Sequence, residues 1–167
     1  LFIGSDITLK RKFSKKFKSA FTFNYLWSNN LDNSGKLINQ PPIRINSNFK
    51  WQTNNFWRID FSEIAILPSY TFRQFNAPIT YTPESLINGY IAINYNTKIF
   101  DLKEAPDGYF LLDFSWKVDV NDFSFSLLIN NVLNKRYRNY LNKMRIFADE
   151  MGRNFIVNLS YKFNSKN

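Results

Sequence analysis

Apolar and polar side chains alternate with a period of two through most of this chain. Alternate residues of a strand point to opposite faces, so the pattern demands strands with one apolar and one polar surface. The segment near the C-terminus is the clearest, with Phe155, Val157, Leu159, Tyr161 and Phe163 against Asn154, Asn158, Ser160 and Lys162, and Ile156 as the exception. Phe123, Phe125, Leu127 and Ile129 alternate with Ser124, Ser126 and Asn130, and Phe110, Leu112, Phe114, Trp116 and Val118 with Asp113, Ser115 and Lys117. Upstream, Phe21, Phe23, Tyr25 and Trp27 form one apolar face, and Ile43, Ile45, Phe49 and Trp51 another. Trp57, Ile59 and Phe61 continue the rule against Arg58, Asp60 and Ser62, until Glu63 falls on the apolar side. A bulge at Glu63, or a position above the apolar zone, would account for it. With a weaker segment around Ile7 and Leu9, about seven strands are predicted.

The connections decide what these strands build. Tight turns are predicted at 14–16, 53–55 and 119–122, and long connections at 29–41, 67–107 and 135–152, in strict alternation along the chain. A loop of roughly 40 residues is foreign to a compact soluble domain. Short turns on one side and long loops on the other are the rule in outer-membrane β-barrels. Within the longest loop, residues 90–95 read as a β excursion above the membrane or as a further hairpin through the wall.

Composition narrows the function. Histidine and cysteine are absent, which removes the commonest general base, the commonest metal ligand and any disulfide or thiolate site. No catalytic residue, metal site or cofactor is therefore expected. Phe, Tyr and Trp make up 19% of the residues and are spread along every strand, as lipid-facing walls and interfacial girdles require. Trp27, Trp51, Trp57 and Trp116 are the girdle candidates. The net charge of +9 is distributed over strands and loops without a nucleic-acid-binding motif, so no nucleic-acid partner is expected. The chain starts at Leu1 without a leader-like segment, and about seven strands is an odd number where bacterial barrels have an even one. The expectation is a piece of a larger barrel whose first and last strands are open edges.

The stretch Asn130-Asn131-Val132-Leu133-Asn134-Lys135-Arg136-Tyr137-Arg138 resembles the segment near the end of TonB-dependent receptors. Tyr140-Leu141-Asn142 and Glu150-Met151-Gly152-Arg153-Asn154-Phe155 look like the same family, with Met151 where a proline is usual. Pro41-Pro42-Ile43-Arg44-Ile45-Asn46 and Ala105-Pro106-Asp107-Gly108-Tyr109-Phe110-Leu111-Leu112 are similar to family segments that open strands after long loops, in the manner of Bacteroidetes members. The resemblance implies an all-β transmembrane antiparallel barrel of about 22 strands around a plug. Residues 1–163 would be its C-terminal segment and 164–167 a short polar tail, with plug and N-terminal strands outside this chain.

It further implies an active-transport receptor in the outer membrane of a Gram-negative bacterium, importing a scarce small-molecule nutrient, with a ferric siderophore or other iron chelate favoured. Energy would come from the TonB complex through the plug. Other implied partners are the barrel-assembly machinery, reading a terminal aromatic signal at Tyr161 and Phe163, and outer-membrane lipid and lipopolysaccharide. A passive porin and a soluble β-barrel ligand-binding protein are the alternatives. Aromatic and Arg residues are common recognition anchors, which makes Tyr70, Phe72, Arg73, Phe75 and Tyr81 of the longest loop, with Arg136, Arg138 and Arg145, the candidate ligand contacts. The segment 135–153 holds six basic residues against Asp149 and Glu150, so it either attracts an anionic ligand or lipopolysaccharide phosphate, or braces itself by internal pairing. For the two acids an ion pair with Arg145 or Arg153 is expected.

Overall fold

A computed structural model describes residues 1–29, 40–56, 58–75, 105–146 and 148–163. Seven strands form one antiparallel sheet in sequence order: β1 (Phe2–Lys12), β2 (Phe17–Ser28), β3 (Arg44–Phe56), β4 (Ile59–Thr71), β5 (Tyr109–Val120), β6 (Phe123–Asn130) and β7 (Asn154–Tyr161). Each ladder keeps a constant offset from end to end, so no strand carries a bulge. The β3–β4 ladder lapses where Ser47 and Asn48 face Pro68 and Leu67, respectively, while Pro68 pairs with Leu112 of β5. Proline has no N–H to donate, and the lapse places that missing donor on the β3 side. Short links join the strands at one end of the sheet and long ones at the other, preserving the predicted alternation. Lys143–Ile146 forms one 3-10 turn in the last long link, which periodicity did not foresee.

Constant register makes every cross-strand row face one side. One such row runs Phe49–Ile66–Phe114–Ile129–Phe155, all apolar. A neighbouring row on the opposite face runs Gln52–Glu63–Lys117–Ser126–Asn158, all polar. This corrects the expectation around Glu63. The turn falls at 57–58 rather than at 53–55, because Thr53, Asn54 and Phe56 stay in the ladder, opposite Ser62, Phe61 and Ile59. Asn54 and Asn55 favour turns, but the continued pairing of β3 with β4 overrides that preference. Ile59 and Phe61 therefore share the polar face with Glu63, which needs neither a bulge nor a position above the apolar zone. Strand β4 also runs on through Pro68 to Thr71, four residues beyond the point where a loop was expected. The β segment expected at 90–95 lies outside the described residues, as does Trp57.

No core lies between layers. Among the described residues the buried apolar ones include Ala65, Ala105, Tyr109 and Tyr140, whereas Leu9, Phe155, Val157 and Leu159 of the apolar face are each more than half exposed. The accessible surface of 12645 Å² compares with roughly 8,700 Å² for a globular monomer of this mass. A single-layer sheet with this much exposed apolar surface has the character of a barrel wall that lipid covers.

Candidate functional site

The apolar face is bounded by two aromatic bands. At the short-turn end the rings run across the sheet: Phe13 and Phe17 at 5.3 Å, Phe17 and Trp51 at 6.1 Å, Trp116 and Phe125 at 5.9 Å, Phe123 and Tyr161 at 4.6 Å, and Tyr161 and Phe163 at 4.7 Å. Trp116 Nε1 lies 3.3 Å from Ser62 Oγ, giving the indole a polar partner. At the other end Tyr25 stacks on Phe75 at 6.4 Å, and Tyr70 meets Phe72 edge-on at 4.7 Å. On β2 the bands are separated by the run from Phe17 to Tyr25, about 26 Å along the strand at ~3.3 Å per residue. With a tilt near 40° that is about 20 Å, close to the ~25 Å apolar zone of a transmembrane barrel.

The polar face carries linked side chains. Near the short turns Lys18 donates to Gln52 at 2.8 Å, Gln52 donates to Glu63 at 2.6 Å, and Lys50 pairs with Glu63 at 2.9 Å. Lys117 pairs with Asp119 at 3.4 Å and passes 5.6 Å from the ring centre of Phe61, which places Phe61 on this face independently of the register. Lys10, Lys12, Lys18 and Lys50 border a trough of ≈ 330 Å³. Toward the long loops Asn46 donates to Asn24 at 3.4 Å and Asn24 to Asp6 at 2.6 Å.

The rim on the long-loop side is built by the motifs that resemble receptors. Asn131, with φ of 50°, closes its loop by donating to the Lys135 carbonyl at 2.8 Å and accepting from the Lys135 N–H at 2.9 Å. The Asn131 N–H donates to Asp113 at 2.7 Å, tying the loop to β5. Asn134, with φ of 52°, accepts the Arg153 N–H at 3.0 Å. A Cβ on Gly152 would stand 2.8 Å from that same Asn134 oxygen, so any larger residue would push the Asn134 amide aside. At Gly108 the approach is to backbone, since a Cβ there would lie 2.9 Å from the Thr71 carbonyl, and it requires glycine. Gln74 donates to the Gln40 and Pro41 carbonyls at 2.7 and 3.1 Å, stitching a second long link to the first. Tyr109 and Tyr137 pack at 4.4 Å between ring centres. Burial pushes the Tyr137 phenol up, helped by Tyr109, Glu150 and Asp113 and opposed by Arg44.

The candidate ligand residues separate on these elements. Tyr70 lies in the Ile45–Tyr70–Phe110 row of the apolar face, and Phe72 and Phe75 extend the same aromatic band. Arg73 sits 3.6 Å from Asp107. Arg138 pairs with Asp149 at 2.8 Å, Arg145 donates to the Tyr140 carbonyl and lies 4.8 Å over its ring, and Arg136 is exposed. Tyr81 lies outside the described residues. The expected pairing of the acids is corrected: Asp149 takes Arg138 rather than Arg145 or Arg153, and Glu150 accepts from Asn142 at 2.6 Å. The turn around Lys143–Ile146 carries Arg145 toward Tyr140 instead. Arg44, Tyr109 and Tyr137 were not singled out by sequence reasoning. The parity of Arg44 in β3 was a usable signal, whereas nothing local announces that Tyr109 meets Tyr137.

An all-β, seven-stranded antiparallel sheet with opposed lipid-type and wet faces is a section of a transmembrane β-barrel wall. A solved structure of the copper transporter OprC shares this fold, with a TM-score of 0.72 and 16% identity over 97% of this chain and 23% of that one. The chain thus spans under a quarter of the length of the protein it overlays. No protein-family model matches the sequence, and no curated protein matches it.

Proposed function

We propose that this chain is the C-terminal wall section of an outer-membrane transport barrel that imports a scarce nutrient. The carrying observation is the register itself, which gives the sheet a lipid-type face between two aromatic bands and a polar face suited to a wet lumen or a plug. The likeness of fold to a transporter supports the same reading. In this proposal the short turns face the periplasm and the long links the exterior. Arg44, Tyr137 and Arg136 at the rim, together with Tyr81 of the longest link, meet the ligand. Arg138 and Arg145 brace their loop, and Tyr70, Phe72 and Phe75 serve the outer aromatic band. Tyr161 and Phe163, in the opposite band, offer the barrel-assembly machinery its terminal aromatics.

TonB-driven import of an iron chelate is the finer proposal, supported by the receptor-like rim motifs and a basic wall suited to an anionic cargo. The test is uptake of a labelled ferric chelate and of labelled copper by cells with and without the intact protein, before and after removal of TonB. Iron uptake that needs both proteins is the expected result. Uptake indifferent to TonB would make the barrel a passive pore, and uptake of copper alone would replace the cargo.

A further inference from the structure

The segment 10–18 carries six basic residues and no acid. Register sends Lys10, Lys12 and Lys18 to the polar face, in rows with Ala20 and Lys50, and leaves Arg11 on the lipid side. The turn between is built rather than loose. The N–H groups of Phe13 and Ser14 donate to the Phe17 carbonyl at 3.0 and 3.2 Å, and Ser14 Oγ accepts from the N–H groups of Lys16 and Phe17 at 3.2 and 2.9 Å. The Lys16 carbonyl accepts from Gln52 at 2.7 Å, fixing the turn to β3. Lys15 and Lys16 are thereby held, exposed, at the edge of the aromatic band.

The Arg11 guanidinium lies 4.8 Å from the centre of the Phe13 ring, and the Phe13–Phe17–Trp51 rings continue from it. A guanidinium flat on a ring keeps its N–H edge free for a forked bond to a phosphate. Among the described residues no carboxylate forms an ion pair with Arg11, Lys15 or Lys16. Charge of this kind is confined to the first turn: Arg58 of the second is followed two residues on by Asp60, and the third carries Asp119 and Asp122.

We infer that Arg11, Lys15 and Lys16 bind the phosphate of a net-anionic glycerophospholipid in the periplasmic leaflet, with Phe13, Phe17 and Trp51 against its glycerol and upper acyl chains. The inference rests on the membrane orientation proposed above. Rim charges favour an anionic headgroup over a zwitterionic one, and the aromatic band puts the site at headgroup depth. Lipopolysaccharide shares the phosphate chemistry, but belongs to the leaflet at the long-loop end.

The experiment is native mass spectrometry of the intact protein in mild detergent, titrated separately with phosphatidylglycerol, phosphatidylethanolamine and lipid A. Folding is read in parallel from heat-modifiable mobility on a gel. Phosphatidylglycerol should bind at least tenfold tighter than the other two. The triple variant Arg11→Gln, Lys15→Gln, Lys16→Gln should lose that preference, while Arg138→Gln at the opposite end keeps it. Arg11→Lys, which retains charge without the fork, should fall between and covers the case in which the triple variant does not fold. An unaffected triple variant, or equal phosphatidylglycerol binding by wild type and Arg11→Lys where the triple variant does not fold, or tighter binding of lipid A, overturns the site while leaving the barrel intact. A protein that never shows a heat-modifiable folded form overturns the membrane reading and the site with it.

Discussion

Asn131, Asn134 and Gly152 show how a few small polar residues hold an otherwise long link against the sheet. Two of the three adopt left-handed backbone angles, which asparagine tolerates better than other non-glycine residues. Replacing Asn131 by alanine removes both bonds to Lys135 and leaves the strained angle, a local loss of about 2 kcal/mol. Amide exchange through 131–137 should then run about thirtyfold faster while the strand amides keep their protection. Gly152→Ala should act more mildly, by about 1 kcal/mol, through loss of the bond from Arg153 to Asn134. Unchanged exchange in both variants would mean that the link is held by something other than these contacts. The run of asparagines was legible in the sequence. Which partner each side chain takes was not, because Lys135 lies four residues away but Arg153 nineteen.

Strand β4 carries the sharpest consequence of register. Ile66 and Leu67 are adjacent, both aliphatic, and indistinguishable by hydropathy. Ile66 stands in the apolar row between Phe49 and Phe114, whereas Leu67 pairs with Asp113 on the polar face. Arginine at position 66 puts a charge near the middle of the lipid zone, which costs about 2–4 kcal/mol. Arginine at position 67 points into the wet side beside Asp113 and should cost well under half as much. Urea titration of the folded barrel in lipid vesicles measures both. Equal destabilisation would refute the face assignment, and a reversed order would shift the register by one residue. The same parity explains why Glu63 looked misplaced from sequence: the error lay in the turn, and moving it from 53–55 to 57–58 turns over the side chains of β4.

At the scale of the whole molecule the unusual quantity is surface. Among the described residues few apolar side chains are buried, while Leu9, Phe155, Val157 and Leu159 are each more than half exposed, an apolar surface larger than a sheet in water ordinarily shows. In lipid the same exposure becomes the stabilising term, and the bands of rings mark where the apolar zone stops. Trp51 and Trp116 share one row of the short-turn band, while Trp27, opposite Ile3 on β1, belongs to the other end. Phospholipids brominated high on the acyl chain should therefore quench Trp51 and Trp116 more strongly than lipids brominated near the chain end. Variants retaining single tryptophans separate their signals. Deeper bromines quenching better would place this row at mid-membrane and displace the band from the interface.

Alternation, the short and long connections, and the missing histidine and cysteine were properties of the sequence, and they determined the strand number, the antiparallel order and the two-faced wall. These are local or nearest-neighbour features, since a strand's faces follow from its own residues and a tight turn can only join adjacent strands. The tertiary structure decided the rest. It set the turn at 57–58, and with it the faces of Ile59, Phe61 and Glu63. It also drew Tyr70, Phe72 and Phe75 into an aromatic band and spent Arg138 and Arg145 on their own loop. Pairing energy summed over a ladder exceeds the preference of any one turn residue, and a long link's side chains choose partners by distance in space, which no periodicity encodes.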